Sequence, residues 1–253
     1  MNPLDFDSVR TFVNNNIDDF HKRKLASLER LTLRKLLQKN PYLFKAKNIT
    51  SASELIIGLL DASLSSSEEQ LFGDFLEGLA VFIAEQTCNG RKSAAQGIDL
   101  EFVNHNTHYI VSIKSGPNWG NSSQHRRLAQ DLRDGVIRVR QSRTALNVQP
   151  VLGICYGKTR TKFSTDGYLK VVGQNFWYLI SDNPDLYTDI VEPIGYRAKE
   201  HNDRFIQGRA ALENKLTGQF VNAFCDPSGA IDWIRLVQAN SMNLDLAEFL
   251  PNA

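Results

Sequence analysis

Gly97-Ile98-Asp99-Leu100-Glu101-Phe102, then Asn104-His105-Asn106-Thr107, then Tyr109-Ile110-Val111-Ser112-Ile113-Lys114-Ser115-Gly116 reads as two β-strands joined by a tight turn. A strand alternates its side chains, so Ile98, Leu100 and Phe102 are expected on one face of the first strand and Asp99 and Glu101 on the other. Ser112 and Lys114 share a face of the second strand. If the polar faces coincide, two carboxylates and an ammonium meet inside an otherwise apolar hairpin, where unpaired charge is costly to desolvate. Either they neutralise one another as an ion pair, or the carboxylates hold a hard divalent cation while the lysine faces a reacting anion.

Working outward, helical periodicity predicts helices over 6–21 and 25–37, the latter with Leu25, Leu28, Leu31, Leu33, Leu36 and Leu37 as its apolar stripe, before Asn40-Pro41 breaks the chain. Ser51 or Ser53 can cap a helix through Ile56 and Leu60. Ser67 with Gln70 forms a capping-box pattern ahead of a further helix over 71–85. After Gly116, the stretch 117–123 is loop by composition, and Ser122 or Ser123 can cap a helix over 124–140. Strands are expected over 150–156 and 168–172, then helices over 174–181, 186–191, 199–224 and 231–242. That order predicts an α/β (α+β) chain, a mixed central sheet flanked by helices on both faces with a helical N-terminal region. The division read from it is a helical region over 1–66, suited to dimerisation or clamping, and a core with C-terminal helices over 67–253, together one structural unit.

The 253 residues, 42% of them hydrophobic, suffice for a substantial core. With 29 Lys plus Arg against 28 Asp plus Glu, a polyanion partner must be met by a local basic patch. One is visible: Arg126, Arg127, Arg133, Arg138, Arg140 and Arg143 are opposed only by Asp131 and Asp134, and Lys158, Arg160 and Lys162 form a second run. Cys88, Cys155 and Cys225 lack zinc-type spacing, and neither a signal peptide nor a long apolar span is seen, so a cytoplasmic chain with reduced thiols is expected. His105, His108 and His125 have no partner spacing for zinc or for a Ser-His-Asp arrangement and read as surface residues. Gly116 to Gly120 lacks the lysine and hydroxyl of a phosphate-binding loop, which argues against ATP dependence.

Asp99, with Ile113 as the free middle residue before Lys114, resembles the core of the PD-(D/E)XK nucleases. Where that superfamily usually carries a second carboxylate, this chain has Ser112; some of its restriction enzymes share that serine and bring the carboxylate from another element. The Asn40-Pro41-Tyr42-Leu43-Phe44 segment, the Ile98-Asp99 strand, the Ser112-Ile113-Lys114-Ser115-Gly116 return with Trp119, and Cys155-Tyr156-Gly157 look like type II restriction endonucleases that cut interrupted GG/CC palindromes. The resemblance implies a restriction-endonuclease-like fold and Mg²⁺-dependent, sequence-specific cleavage of double-stranded DNA. It also implies a homodimer whose twofold axis matches a palindromic site, and a partner methyltransferase.

Two residues can replace the missing ligand. Glu101 lies about 7 Å from Asp99 by the strand rise. Glu77 shares a small-residue helix stripe with Gly73, Ala80 and Ala84, and the superfamily often places a glutamate on the helix before the first catalytic strand. The expected catalytic set is therefore Asp99, Lys114, Ser112, Glu77 and Glu101, and the metal ligands are Asp99, Glu77, Glu101 and the Ile113 carbonyl. Asn118, Trp119, Asn121, Ser122, Ser123, Gln124, Arg126, Arg127 and Arg133 are the expected DNA contacts, arginines fixing register on phosphates and amides or arginines reading base edges. A structure-specific repair or junction-resolving nuclease, or a non-catalytic DNA-binding protein with a decayed site, is the alternative.

Overall fold

The computed structural model describes residues 1–142 and 147–243. The hairpin is present as read. β2 (Leu100–Asn104) and β3 (Thr107–Lys114) pair antiparallel, Leu100 opposite Val111 and Asn104 opposite Thr107. His105 and Asn106 both have positive φ, 45° and 63°, the conformation that lets a two-residue turn follow the twist of its strands. Around the hairpin a six-stranded sheet runs β1-β2-β3-β4-β6-β5, adding β1 (Arg91–Lys92), β4 (Asn147–Ile154), β5 (Lys162–Phe163) and β6 (Leu169–Val172). β3, β4 and β6 are mutually parallel and the outer pairings antiparallel. The two edge strands β1 and β5, two residues each, are too short for periodicity to reveal.

Helices cover both faces, as expected of a mixed sheet. α5 (Ser122–Ser142) is the crossover that parallel β3 and β4 require. Its Leu128, Leu132 and Val139 pack with Ile110, Leu152 and Ile154. On the opposite face Leu100, Phe102, Val111 and Ile113 meet Leu76, Leu79 and Ile83 of α4 (Ala52–Cys88) and Phe176 and Trp177 of α6 (Gln174–Ser181). Ile98 departs from the expected alternation. Strand pairing begins only at Leu100, and Gly97 turns the chain at φ 72°, so Ile98 joins the α5 side. Gly153 lets α6 approach β4, since a Cβ there would lie 2.3 Å from Phe176 Cε2. Gly153→Ala is expected to destabilise the fold by about 1–3 kcal/mol through overpacking; unfolding in urea measures it, and an unchanged midpoint would contradict the close approach.

The chain divides into two compact units, Met1–Phe20 with Gln70–Tyr196, and His21–Glu69 with Arg197–Ala253. The first contains the sheet, α5 and α6, with α7 (Leu186–Asp189) and α8 (Val191–Ile194). The second, through residue 243, is helical. Leu36, Phe44, Leu55, Ile56 and Leu60 pack against Leu216, Phe220 and Phe224 of α9 (Ala198–Phe224) and Leu236 of α10 (Trp233–Ser241).

α1 (Phe6–Glu29) and α4 each supply a part to both units. α1 runs through the expected break near residue 22 and stops before Thr32, which caps the short α2 (Leu33–Leu36). Asn40 caps α3 (Pro41–Ala46) through the amides of Tyr42 and Leu43, with proline pre-set for the first turn. α4 is one 37-residue helix rather than two. The Ser66 and Ser67 hydroxyls donate back to Ala62 and Leu64 carbonyls inside it, at 3.2 and 3.1 Å, so the capping pattern at Ser67 is spent within the helix. Among the described residues no helix is long and apolar enough to cross a membrane.

Candidate active site

β3 and β4 end side by side at Lys114 and Ile154, and Asp99 enters from the residue before β2. Polar groups brought to the carboxyl ends of parallel strands are where open α/β sheets bind ligands. The Asp99 carboxylate reaches across to β3. Its Oδ2 accepts a 2.6 Å hydrogen bond from the Ile113 N–H and a 3.4 Å bond from the Ser112 hydroxyl, and lies 4.0 Å from Lys114 Nζ. All these contacts fall on Oδ2, and no described residue bonds to Oδ1. A strand residue sends its N–H and C=O to the same side. Ile113 therefore aims its carbonyl past the last β2–β3 pair, toward Asp99. Ser112 is fully buried and serves here to hold Asp99.

Lys114 is part-exposed, and Trp119 on the following loop lies under its ammonium at 5.6 Å from the ring centroid, within cation–π range. Trp119 is itself held by His125, edge to face at 4.3 Å, and by the α5-side core. Gly116 makes room for the Tyr156 ring, which a Cβ would meet at 2.4 Å.

Glu77 approaches the end of β3 from α4. A Cβ on Gly73 would lie 3.6 Å from Ser115 Oγ, so α4 passes close to the end of β3, and Glu77 sits one turn further along that face. The thiol of Cys155, buried just after β4, registers both acids. Burial pushes it well above the usual thiol range, the charges of Glu77 and Asp99 push it further, and Lys114 opposes them. Glu77 also pairs with Lys92 of β1, Oε1 to Nζ at 3.3 Å. Lys92 gave no signal in the sequence, because a two-residue edge strand has no period to read.

Glu101 is placed differently. Its side chain, 8% exposed, faces α5, where Ser93 donates to Oε1, Arg138 donates to the same oxygen at 2.6 Å, and His108 sits 3.2 Å from Oε2. Arg91 lies at 3.8 Å. Burial pushes the Glu101 pKa up, but the Ser93 hydrogen bond, the Arg138 charge and the His108 contact outweigh it, and the value falls below the ordinary one. Glu101 is thus an arginine-paired structural acid, and His108, expected at the surface, is buried against it. A depressed folded pKa adds stability above the unfolded carboxylate pKa and loses it as pH falls through the folded value. Glu101→Gln is expected to cost about 1–3 kcal/mol at neutral pH, with the gap to wild type closing in acid. Urea unfolding across a pH series reads this, and a pH-independent gap would contradict it.

Of the expected contacts in the loop and α5, Asn121 and Gln124 are occupied by each other. Asn121 Oδ1 accepts from the amides of Ser123 and Gln124, and Gln124 Oε1 accepts from the Asn121 amide. That is a capping box, with Asn121 rather than Ser122 or Ser123 as the cap. Ser123 Oγ also donates to Asn121. Asn118 and Ser122 are exposed. Arg126, Arg133 and Arg140 are seven residues apart and form one outward stripe of α5, with Arg133 braced by Gln130 and Arg127 3.9 Å from Asp131. Arg138 leaves the patch for Glu101, and Arg143 lies outside the described residues. Lys158, Arg160 and Lys162 are exposed.

Among the described residues no group of three or more His, Cys, Asp and Glu side chains is disposed around a common metal position. The oxygen donors at and near the end of β3 are carboxylates and backbone carbonyls. Such an oxygen set suits Mg²⁺, which is bound through one or two carboxylates and keeps several waters, and not Zn²⁺. The family model described as Type II restriction endonuclease EcoO109I matches residues 7–202, well over half of the chain. No curated protein matches the sequence.

Proposed function

We propose, because the chain belongs to the type II restriction endonuclease EcoO109I family and so cleaves DNA at specific sequences, that it does so by Mg²⁺-dependent phosphodiester hydrolysis at Asp99, Lys114 and Glu77. In this reading the site is of PD-(D/E)XK type with Ser112 in place of the second carboxylate. The observation that carries it is the convergence of Asp99 Oδ2 and Lys114 Nζ, 4.0 Å apart and both part-exposed, at the carboxyl end of β3.

Asp99 Oδ1, Glu77 and the Ile113 carbonyl are the donors that would hold the ion. Bound there, Mg²⁺ would acidify a coordinated water and offset charge on the phosphate. Ile113 N–H and Ser112 keep Asp99 turned toward the strand ends. Lys114, steadied by Trp119, orients the attacking water or meets the non-bridging oxygen as its charge grows. The Arg126, Arg133 and Arg140 stripe sets register on phosphates and makes binding salt-dependent. Cutting both strands of a palindrome takes two such sites, which a twofold homodimer supplies. The interrupted GG/CC type of target and a protecting methyltransferase belong to the same reading.

Incubating the purified protein with unmethylated phage DNA and Mg²⁺, then sequencing the ends, tests it. Discrete fragments ending at one palindromic site are expected, and intact DNA or random ends would overturn it. Glu77→Gln is expected to raise the Mg²⁺ concentration for half-maximal cleavage roughly 10–100-fold. An unchanged Mg²⁺ dependence would remove Glu77 from the site.

A further inference from the structure

Lys92 has no part in the reading above, yet it touches one of its carboxylates. β1 pairs with β2 so that Lys92 stands opposite Leu100. Paired residues send their side chains to the same face, and Leu100 belongs to the face covered by α4. Lys92 therefore emerges beside Glu77, and its Nζ lies 3.3 Å from Glu77 Oε1. Its neighbour Arg91, opposite Glu101, goes to the other face and joins the Glu101 cluster. The strand thus delivers one cation to each side.

Each of the two carboxylates is met by a lysine, Asp99 by Lys114 and Glu77 by Lys92. The pairs differ in setting. Lys114 is 32% exposed and stands over Trp119, whereas Lys92 is 71% exposed on an edge strand. An ion pair with one partner so open is weak and easily exchanged. Glu77 itself is 28% exposed, so its open side is free to take a counter-charge.

We infer that Lys92 is a positioning residue for Glu77: its ammonium holds the carboxylate, and a divalent cation must displace it to bind Glu77. The inference rests on the reading of Asp99 and Glu77 as a cation site. Lys92 acts through Glu77 and competes with the ion, so the free protein loads cation less readily than its carboxylates alone would allow. Removing the ammonium removes the competitor.

The test is a titration of the full-length, DNA-free protein with Mn²⁺, the unbound ion being read by electron paramagnetic resonance, for wild type, Lys92→Met, Lys92→Arg and Asp99→Asn. Lys92→Met is expected to bind Mn²⁺ about five-fold more tightly than wild type, and Lys92→Arg, which keeps the charge, to bind as wild type does. Circular dichroism of the variants checks that the fold is kept. Equal or weaker Mn²⁺ affinity in folded Lys92→Met, or tighter binding in Lys92→Arg as well, would overturn the inference. Mn²⁺ binding that survives Asp99→Asn undiminished, or that is absent from wild type, would overturn the underlying cation-site reading instead.

Discussion

Lys114→Ala is expected to abolish cleavage, by at least about 10³-fold in single-turnover rate, while DNA binding in Ca²⁺ stays near that of the wild type. The side chain stands at the end of β3 with its ammonium 4.0 Å from Asp99 Oδ2 and over the Trp119 ring. Binding draws on many phosphate contacts, of which this is at most one; the transition state has only one ammonium at that place. Lys114→Arg is not expected to rescue it. The planar guanidinium is larger and cannot place a compact charge at the same point over Trp119. Gel-shift and rapid-quench measurements on one substrate separate the two effects. Full activity in Lys114→Ala would remove the mechanism, and lost binding with unchanged turnover of bound DNA would make Lys114 a DNA contact only.

Asp99→Asn is the second large effect, of similar size on cleavage. The asparagine oxygen still accepts from the Ile113 N–H and the Ser112 hydroxyl, so the hairpin is kept and stability changes by no more than about 1 kcal/mol. What is lost is the negative charge. Metal-free DNA binding is accordingly expected to tighten, because a carboxylate no longer repels phosphate. Cleavage and fluorescence-anisotropy binding without divalent ions check both halves. A variant that is inactive because it is unfolded would show as a collapsed urea midpoint, and one that still cuts would exclude Asp99 as a ligand.

The hairpin was legible in sequence because its information is local: a period of two, a short polar turn, and strands buried on both faces. Asp99 and Lys114 were legible with it, since pairing across a two-residue turn leaves little freedom of register. Partners distant in sequence were not legible. Glu101 looked like a candidate ligand because nothing nearby says that Arg138, 37 residues on, will claim it. His108 looked solvated for the same reason. Local polar signals also misled where two competing bonds were open to one side chain. The hydroxyls at Ser66 and Ser67 turned inward and left α4 unbroken, and Asn121 took the cap expected of the serines after it. The two-unit division was hidden because α1 and α4 run past its boundaries without any glycine or proline to mark them.

Iron-directed cleavage of the polypeptide tests most directly whether the acids at the end of β3 share a cation. Fe²⁺ loaded in place of Mg²⁺, with ascorbate and peroxide, cuts the backbone beside its ligands, and the fragments are identified by mass. Cuts near Glu77, Asp99 and Ile113, suppressed by excess Mg²⁺ and absent in Asp99→Asn, are predicted. Cuts clustered at Glu101 and His108, or scattered without competition by Mg²⁺, would contradict the site.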